Sequence, residues 1–153
     1  MNITIRKAVE SDLETIHKFI YDLADYENRR NECTVTIEEL RELMFEEMSI
    51  NAVVAENDGE AVGMATYYYV RVTTFTGKRS LYIEDLFIKE EYRTKGIGTN
   101  IFNFIRNIAK EKHCRLMEWK CLDWDSATIS FYDKMGGRIS DGWLTYTLDE
   151  SNF

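Results

Sequence analysis

"EDLFIKEEYRTKGIGTNIFNFI", residues 84–105, decides how this chain is read. A strand ends, a cationic turn follows, and a helix begins whose apolar face is Ile101, Phe104, Ile105 and Ile108. Arg93, Lys95, Gly96 and Gly98 crowd into the turn. A turn alone needs one glycine; two glycines beside two cations suggest a bound anion. Glycine lets the backbone approach a ligand closely. The N–H groups of the first helical turn, with the helix dipole behind them, then bind phosphate oxygens. Two nucleotide motifs built on the same physics do not match. A dinucleotide fingerprint needs a third glycine where Ile101 stands, and a P-loop needs Gly-Lys-Ser/Thr at the helix start. A turn with no ligand remains the alternative at this level.

Outward from this stretch, "ITIR" (3–6) reads as a strand, and Ser11 with Glu14 as a capping box opening a helix with the stripe Leu13, Ile16, Ile20, Leu23. Thr36 with Glu39 repeats the box, ahead of Leu40, Leu43 and Met44. "NAVVAE" (51–56) and "AVGMATYYYV" (61–70) are strands joined at Asp58-Gly59, and "SLYIEDLFI" (80–88) is a third antiparallel partner. Alternation along that strand puts Glu84 and Asp85 on opposite sides. Tyr67–Tyr69 read as alternating sheet residues rather than an aromatic cage. "RLMEWKCL" (115–122) is a strand, "DSATISFYDKM" (125–135) a helix stopped by Gly136-Gly137, and "WLTYTLD" (143–149) a last strand. The expectation is one α/β (α+β) domain over residues 1–153. Its sheet is mixed but mostly antiparallel, with one parallel pair where a helix crosses over.

Composition bounds the function. Residues 21–60 hold twelve acids against three bases, a local charge of −9 in a chain of net charge −8, so the remainder is close to neutral. Such a field repels nucleic acid and gathers cations, although most of the acids read as a solvated helical face. There is no apolar run long enough to cross a bilayer, and "MNITIRKAVE" has no leader-like apolar stretch. Three cysteines without framework spacing read as free thiols in the cytoplasm, and the two histidines are too far apart in sequence to suggest a metal site.

The pattern Arg93-Thr94-Lys95-Gly96-Ile97-Gly98 after a strand resembles the coenzyme A pyrophosphate loop of the GNAT superfamily of N-acetyltransferases, and the element order resembles that fold. "LADYE" (23–27), "GK" (77–78), "LYIEDLFI" (81–88), "EYRTKGIG" (91–98) and "WDSATISFY" (124–132) bring the resemblance closest to the diamine (spermidine/spermine) N-acetyltransferase branch. The resemblance implies helices on both sheet faces and strands that splay at the cofactor site. It implies acetyl-CoA as co-substrate, with Leu86, Phe87 and Ile88 along the pantetheine arm and Arg93, Thr94, Lys95, Gly96, Ile97, Gly98 and Thr99 around the pyrophosphate. Asp125, Ser126, Thr128 and Tyr132 would lie near the arm. Two departures stand out: many relatives have glycine at the Thr94 position, and the diamine enzymes carry Asn where this chain has Asp125.

The chemistry follows. An alkyl ammonium has a pKa of about 10.4 and must lose a proton before attacking a thioester. Glu84 matches the family's base and Tyr132 its acid, a phenol protonated at neutral pH that donates to the departing thiolate. The alternatives are an ion pair for Glu84 and a core position for Tyr132 beside Phe131. Tyr26 and Glu27 match an amine-binding site. Glu118, Trp119, Lys120 and Asp141 match further substrate-lining positions, with Lys120 an awkward neighbour for a polycation. The resemblance thus implies acetyl transfer by direct attack of a small polycationic amine, so that no residue need be acylated. Acetylation of a lysine analogue such as thialysine, or a non-catalytic acyl-CoA sensor, is the alternative. A homodimer is the family expectation.

Overall fold

The computed structural model describes residues 1–71 and 74–153, with the Arg71 side chain also outside the described set. Two compact units result, Met1–Lys120 and Cys121–Phe153.

The first unit is built on a five-stranded sheet in chain order: β1 (Ile3–Lys7), β2 (Asn51–Asn57), β3 (Glu60–Arg71), β4 (Arg79–Ile88) and β5 (Met117–Trp119). The first four strands are antiparallel, and β5 joins β4 in parallel. The β2–β3 hairpin turns at Asp58 (φ 51°) and Gly59 (φ 86°), two successive left-handed residues that suit the twist of the strands they join. Helix α1 (Leu13–Tyr26) packs Leu13, Ile16 and Phe19 against Ala52, Val54, Met64 and Phe87 on one sheet face. The Phe19 and Phe87 rings meet at 5.2 Å. Short α2 (Ile37–Arg41) adds Leu40 to this core. Its capping box forms as the sequence implies: Glu39 N–H donates to the Thr36 hydroxyl at 3.1 Å, and Thr36 N–H to the Glu39 carboxylate at 2.8 Å. Residues of the other parity, including Val53, Ala65, Tyr67, Leu81 and Ile83, are buried on the opposite face. There α3 (Ile97–Glu111) supplies the buried Ile97, Ile101 and Ile105.

Three expectations need correction. The box at Ser11 does not form. Ser11 lies inside a 3-10 turn (Glu10–Asp12), and Asp12 instead accepts the Val9 N–H at 2.8 Å and pairs with Arg6 at 2.7 Å. Arg6 also reaches Glu56 at 2.6 Å, tying β1, this turn and β2 together. The strand expected over 115–122 shrinks to three residues. The strand expected over 143–149 is absent: the second unit holds α4 (Ser126–Lys134) and a terminal 3-10 turn, with no strand for a ladder to form on. Trp143, Leu144 and Tyr146 stand more than four-fifths exposed in consequence.

Candidate active site

The cationic turn has the geometry its sequence implies. Thr94 (φ 61°) and Gly96 (φ 82°) both adopt left-handed backbone, and Gly96 caps α3. The first helical bond runs from Asn100 N–H to Gly96 carbonyl at 3.0 Å, so the N–H groups of Ile97, Gly98 and Thr99 point out of the helix end. A Cβ on Gly96 would meet nothing within 4 Å, so the turn is open at this residue. The turn is braced from below. Arg93 Nε donates to the Ile88 carbonyl at 3.0 Å, Lys95 Nζ to the Glu91 carbonyl at 2.6 Å, and the Thr94 hydroxyl to the Arg93 carbonyl at 2.7 Å.

Strand β4 leads into the turn and outlasts its neighbour. Strand β5 pairs only Leu81–Ile83, so Glu84–Ile88 has β3 on one side and no strand partner on the other among the described residues. Gly63 brings β3 unusually close here: a Cβ would stand 2.8 Å from the Phe87 carbonyl. No motif in the sequence marks Gly63.

The same strand carries a bulge, and this overturns the strict alternation assumed for Glu84 and Asp85. Thr66 pairs with Asp85 while Tyr67 pairs with Ile83, so Glu84 is an extra residue without a counterpart on β3. Both carboxylates therefore turn to the α1 face. Asp85 accepts a hydrogen bond from the Thr66 hydroxyl, and Glu84 lies 3.5 Å from the hydroxyl of Tyr68, two residues further along the same face of β3. Tyr68 and Tyr82 pair across the strands with ring centroids 5.1 Å apart. Burial pushes the Tyr82 phenol up to about 12, helped by the charges of Glu84 and Glu118. Burial likewise pushes the Asp85 carboxyl up to about 6; the Thr66 hydroxyl opposes this, and Glu84 and Glu27 add to it.

The end of α1 closes on this group. Glu27 is near enough to act on Asp85. Arg29 is held above its ordinary value chiefly by its hydrogen bond to Glu32, with smaller effects from Glu27 and Glu84. Much of the acidic segment is paired: Asp22 with Lys18, Asp25 with Arg30, Glu38 and Glu46 with Arg41, Glu60 with Lys89. Glu84 is exposed and makes no ion pair among the described residues. Tyr26 lines a cleft of about 410 Å³ with Phe87, Lys89, Glu91 and Arg93. A larger hollow of about 540 Å³, edged by Glu32, Glu39, Glu42 and Glu47, shares no residue with the turn or with β4. Glu118, paired in register with Tyr82, is exposed, whereas Trp119 packs edge-on against Phe102 of α3 at 5.3 Å. Lys120 is exposed.

In the second unit, Asp125 caps α4. Its carboxylate accepts from the Thr128 N–H at 3.0 Å and from the Thr128 hydroxyl at 2.6 Å. An aspartate at this position thus has a structural use. Ser126 opens the helix, and Tyr132 is buried, its ring 5.2 Å from that of Phe131. Asp141 is exposed in the segment without regular structure. The cysteines are free, and burial raises the thiols of Cys114 and Cys121, the reverse of what an activated nucleophile needs.

Known proteins bear on this arrangement. The profile of the acetyltransferase (GNAT) family matches residues 17–137. A thialysine N-epsilon-acetyltransferase of Sus scrofa is 32% identical over 160 residues, covering 97% of this chain and 93% of that protein. A human spermidine/spermine N(1)-acetyltransferase-like protein is 29% identical over 156 residues, covering 95% of this chain but 22% of its own length. Among solved structures, a possible acetyltransferase from Clostridium difficile 630 superposes with a TM-score of 0.81 at 24% identity, covering 97% of this chain and 98% of that one. The family profile spans well over half of the chain, and the chain belongs to the acetyltransferase (GNAT) family.

Proposed function

We propose that the chain transfers the acetyl group of acetyl-CoA to a primary amine of a small cationic substrate by direct attack, as a single N-acetyltransferase domain over residues 1–153. The observation that carries this reading is Glu84: an exposed carboxylate without an ion pair among the described residues, on a strand whose neighbouring acidic segment is largely paired.

The residues of the turn fit the cofactor. The N–H groups of Ile97, Gly98 and Thr99 would hold the pyrophosphate beside Arg93, Thr94 and Lys95, with Gly96 leaving room for it. The open edge of Leu86–Ile88 would hold the pantetheine arm. Acetyl-CoA supplies the thioester carbonyl that the amine attacks. Glu84 takes the proton from the incoming ammonium, directly or through water. The Tyr132 hydroxyl gives a proton to the departing sulfur, a role its buried phenol suits. Glu27 and Tyr26 hold the far end of the substrate.

The thialysine acetyltransferase likeness favours a lysine analogue as substrate, with Lys120 available for its carboxylate. A polyamine is the second reading, supported by the spermidine/spermine relative and by the acidic segment. The free cysteines support a reducing, cytoplasmic setting. A homodimer would give the exposed Trp143, Leu144, Tyr146 and Leu148 a partner. The test is acetyl-CoA incubated with a panel of amines, read by mass spectrometry. Product from an amine supports the reading, and coenzyme binding without any acetylated product favours the sensor.

A further inference from the structure

Glu84 occupies an uncomfortable place for a base. As the inserted residue of a bulge it has left the β3–β4 ladder, so the regular strand bonds do not set its orientation. Misplacing a catalytic group by about 1 Å can cost about 10²-fold in rate, so something must fix it. The group beside it is built for that purpose. Asp85 pairs in register with Thr66 at the edge of the break and accepts a hydrogen bond from its hydroxyl, and Thr66 is 1% exposed, held in the sheet interior.

We propose that Asp85 is a positioning residue for Glu84: its bond to Thr66 pins the bulge and keeps Glu84 turned toward the amine. The inference rests on the amine-acetylating reading above. A hydrogen bond to an ionised acceptor is roughly twice as strong as a neutral one, so the pin is firmest when Asp85 is a carboxylate. Among the described residues, the groups that act on Asp85 are Thr66 from β3, Glu84 from its own strand and Glu27 from the end of α1. None of these three is a cation, and Arg29 acts on Glu27 and Glu84 instead. Burial raises it to about 6, so the pin weakens just below neutral pH. Asp85 is not itself the base, because its carboxylate is already engaged by Thr66 and is less exposed than Glu84.

The test is kcat against pH, with a lysine analogue and acetyl-CoA, for wild type, Thr66→Val, Thr66→Ser and Asp85→Asn. Thr66→Val removes the donor and is expected to lower kcat by about 10–100-fold with coenzyme affinity intact. Thr66→Ser restores the hydroxyl and with it the rate. Asp85→Asn keeps an acceptor without the charge, so it gives a smaller loss and removes the acid step in kcat near pH 6. This last variant is nearly isosteric and keeps the test alive if Thr66→Val fails to fold. A folded Thr66→Val with wild-type kcat, or an acid step unchanged in Asp85→Asn, overturns the role of Asp85 alone. A wild-type protein that acetylates no amine overturns the underlying reading and this inference together.

Discussion

The guanidinium of Arg93 lies over the ring of Tyr26, 4.9 Å from its centroid, while its Nε holds the carbonyl of Ile88. One side chain therefore joins the glycine turn, the end of β4 and the last residue of α1. Tyr26 belongs to the amine end of the proposed site, yet Tyr26→Ala should also weaken coenzyme A binding, because Arg93 loses its platform. A cation–π contact at an exposed site contributes about 0.5–1 kcal/mol, which corresponds to about a two- to fivefold rise in Kd. Calorimetric titration measures it, and an unchanged Kd would leave the two ends uncoupled.

The turn stores strain at Thr94, whose φ of 61° is costly for a residue with a Cβ. Thr94→Gly should stabilise the fold by up to about 1 kcal/mol, the steric relief being partly offset by chain entropy. Gly96→Val does the reverse at φ 82° and should destabilise by about 1–2 kcal/mol while weakening coenzyme affinity. Urea unfolding of both variants reads the two signs.

Asp85 should make stability depend on pH in a direction opposite to an ordinary salt-bridged carboxylate. Its folded value of about 6 lies above its ordinary 3.8, so the folded state holds the proton more tightly. That contribution is fully present below about pH 4 and is lost as pH rises through about 6. Asp85→Asn is therefore expected to gain on wild type by up to about 3 kcal/mol at pH 8 and by little at pH 4. Denaturant unfolding at the two pH values checks it, and a constant difference would contradict the burial of this carboxyl.

Gly63 controls the spacing of β3 from the cofactor-facing end of β4. Gly63→Ala drives a methyl against the Phe87 carbonyl, which being backbone can yield only by moving the strand. A destabilisation of about 1–3 kcal/mol is expected, with weaker coenzyme binding if Leu86–Ile88 shifts. Melting temperature and calorimetry separate the two effects.

These positions show what the sequence could and could not disclose. The turn was legible because glycines and cations at a strand–helix junction have few other uses. The hairpin at Asp58-Gly59 and the box at Thr36 were legible because each rests on local chemistry. The bulge at Glu84 was not, because a register break depends on the facing strand and leaves no mark in a period-two pattern. Thr66 and Asp85 were passed over for the same reason: they meet across strands, nineteen residues apart. The segment 143–149 shows the converse, since its alternating apolar residues resemble a strand but strands require a partner.

The central claim is that Glu84 deprotonates an amine for acetyl transfer. The most direct measurement is kcat for thialysine and for spermidine with acetyl-CoA, in wild type and Glu84→Gln, with Tyr132→Phe alongside and coenzyme affinity measured for each. The account predicts acetylation of at least one amine by wild type. It predicts a fall in kcat of about 10²–10⁴-fold in Glu84→Gln, and a fall in Tyr132→Phe, with coenzyme affinity largely unchanged. Wild-type kcat in Glu84→Gln, on an amine that the wild type acetylates, would contradict it.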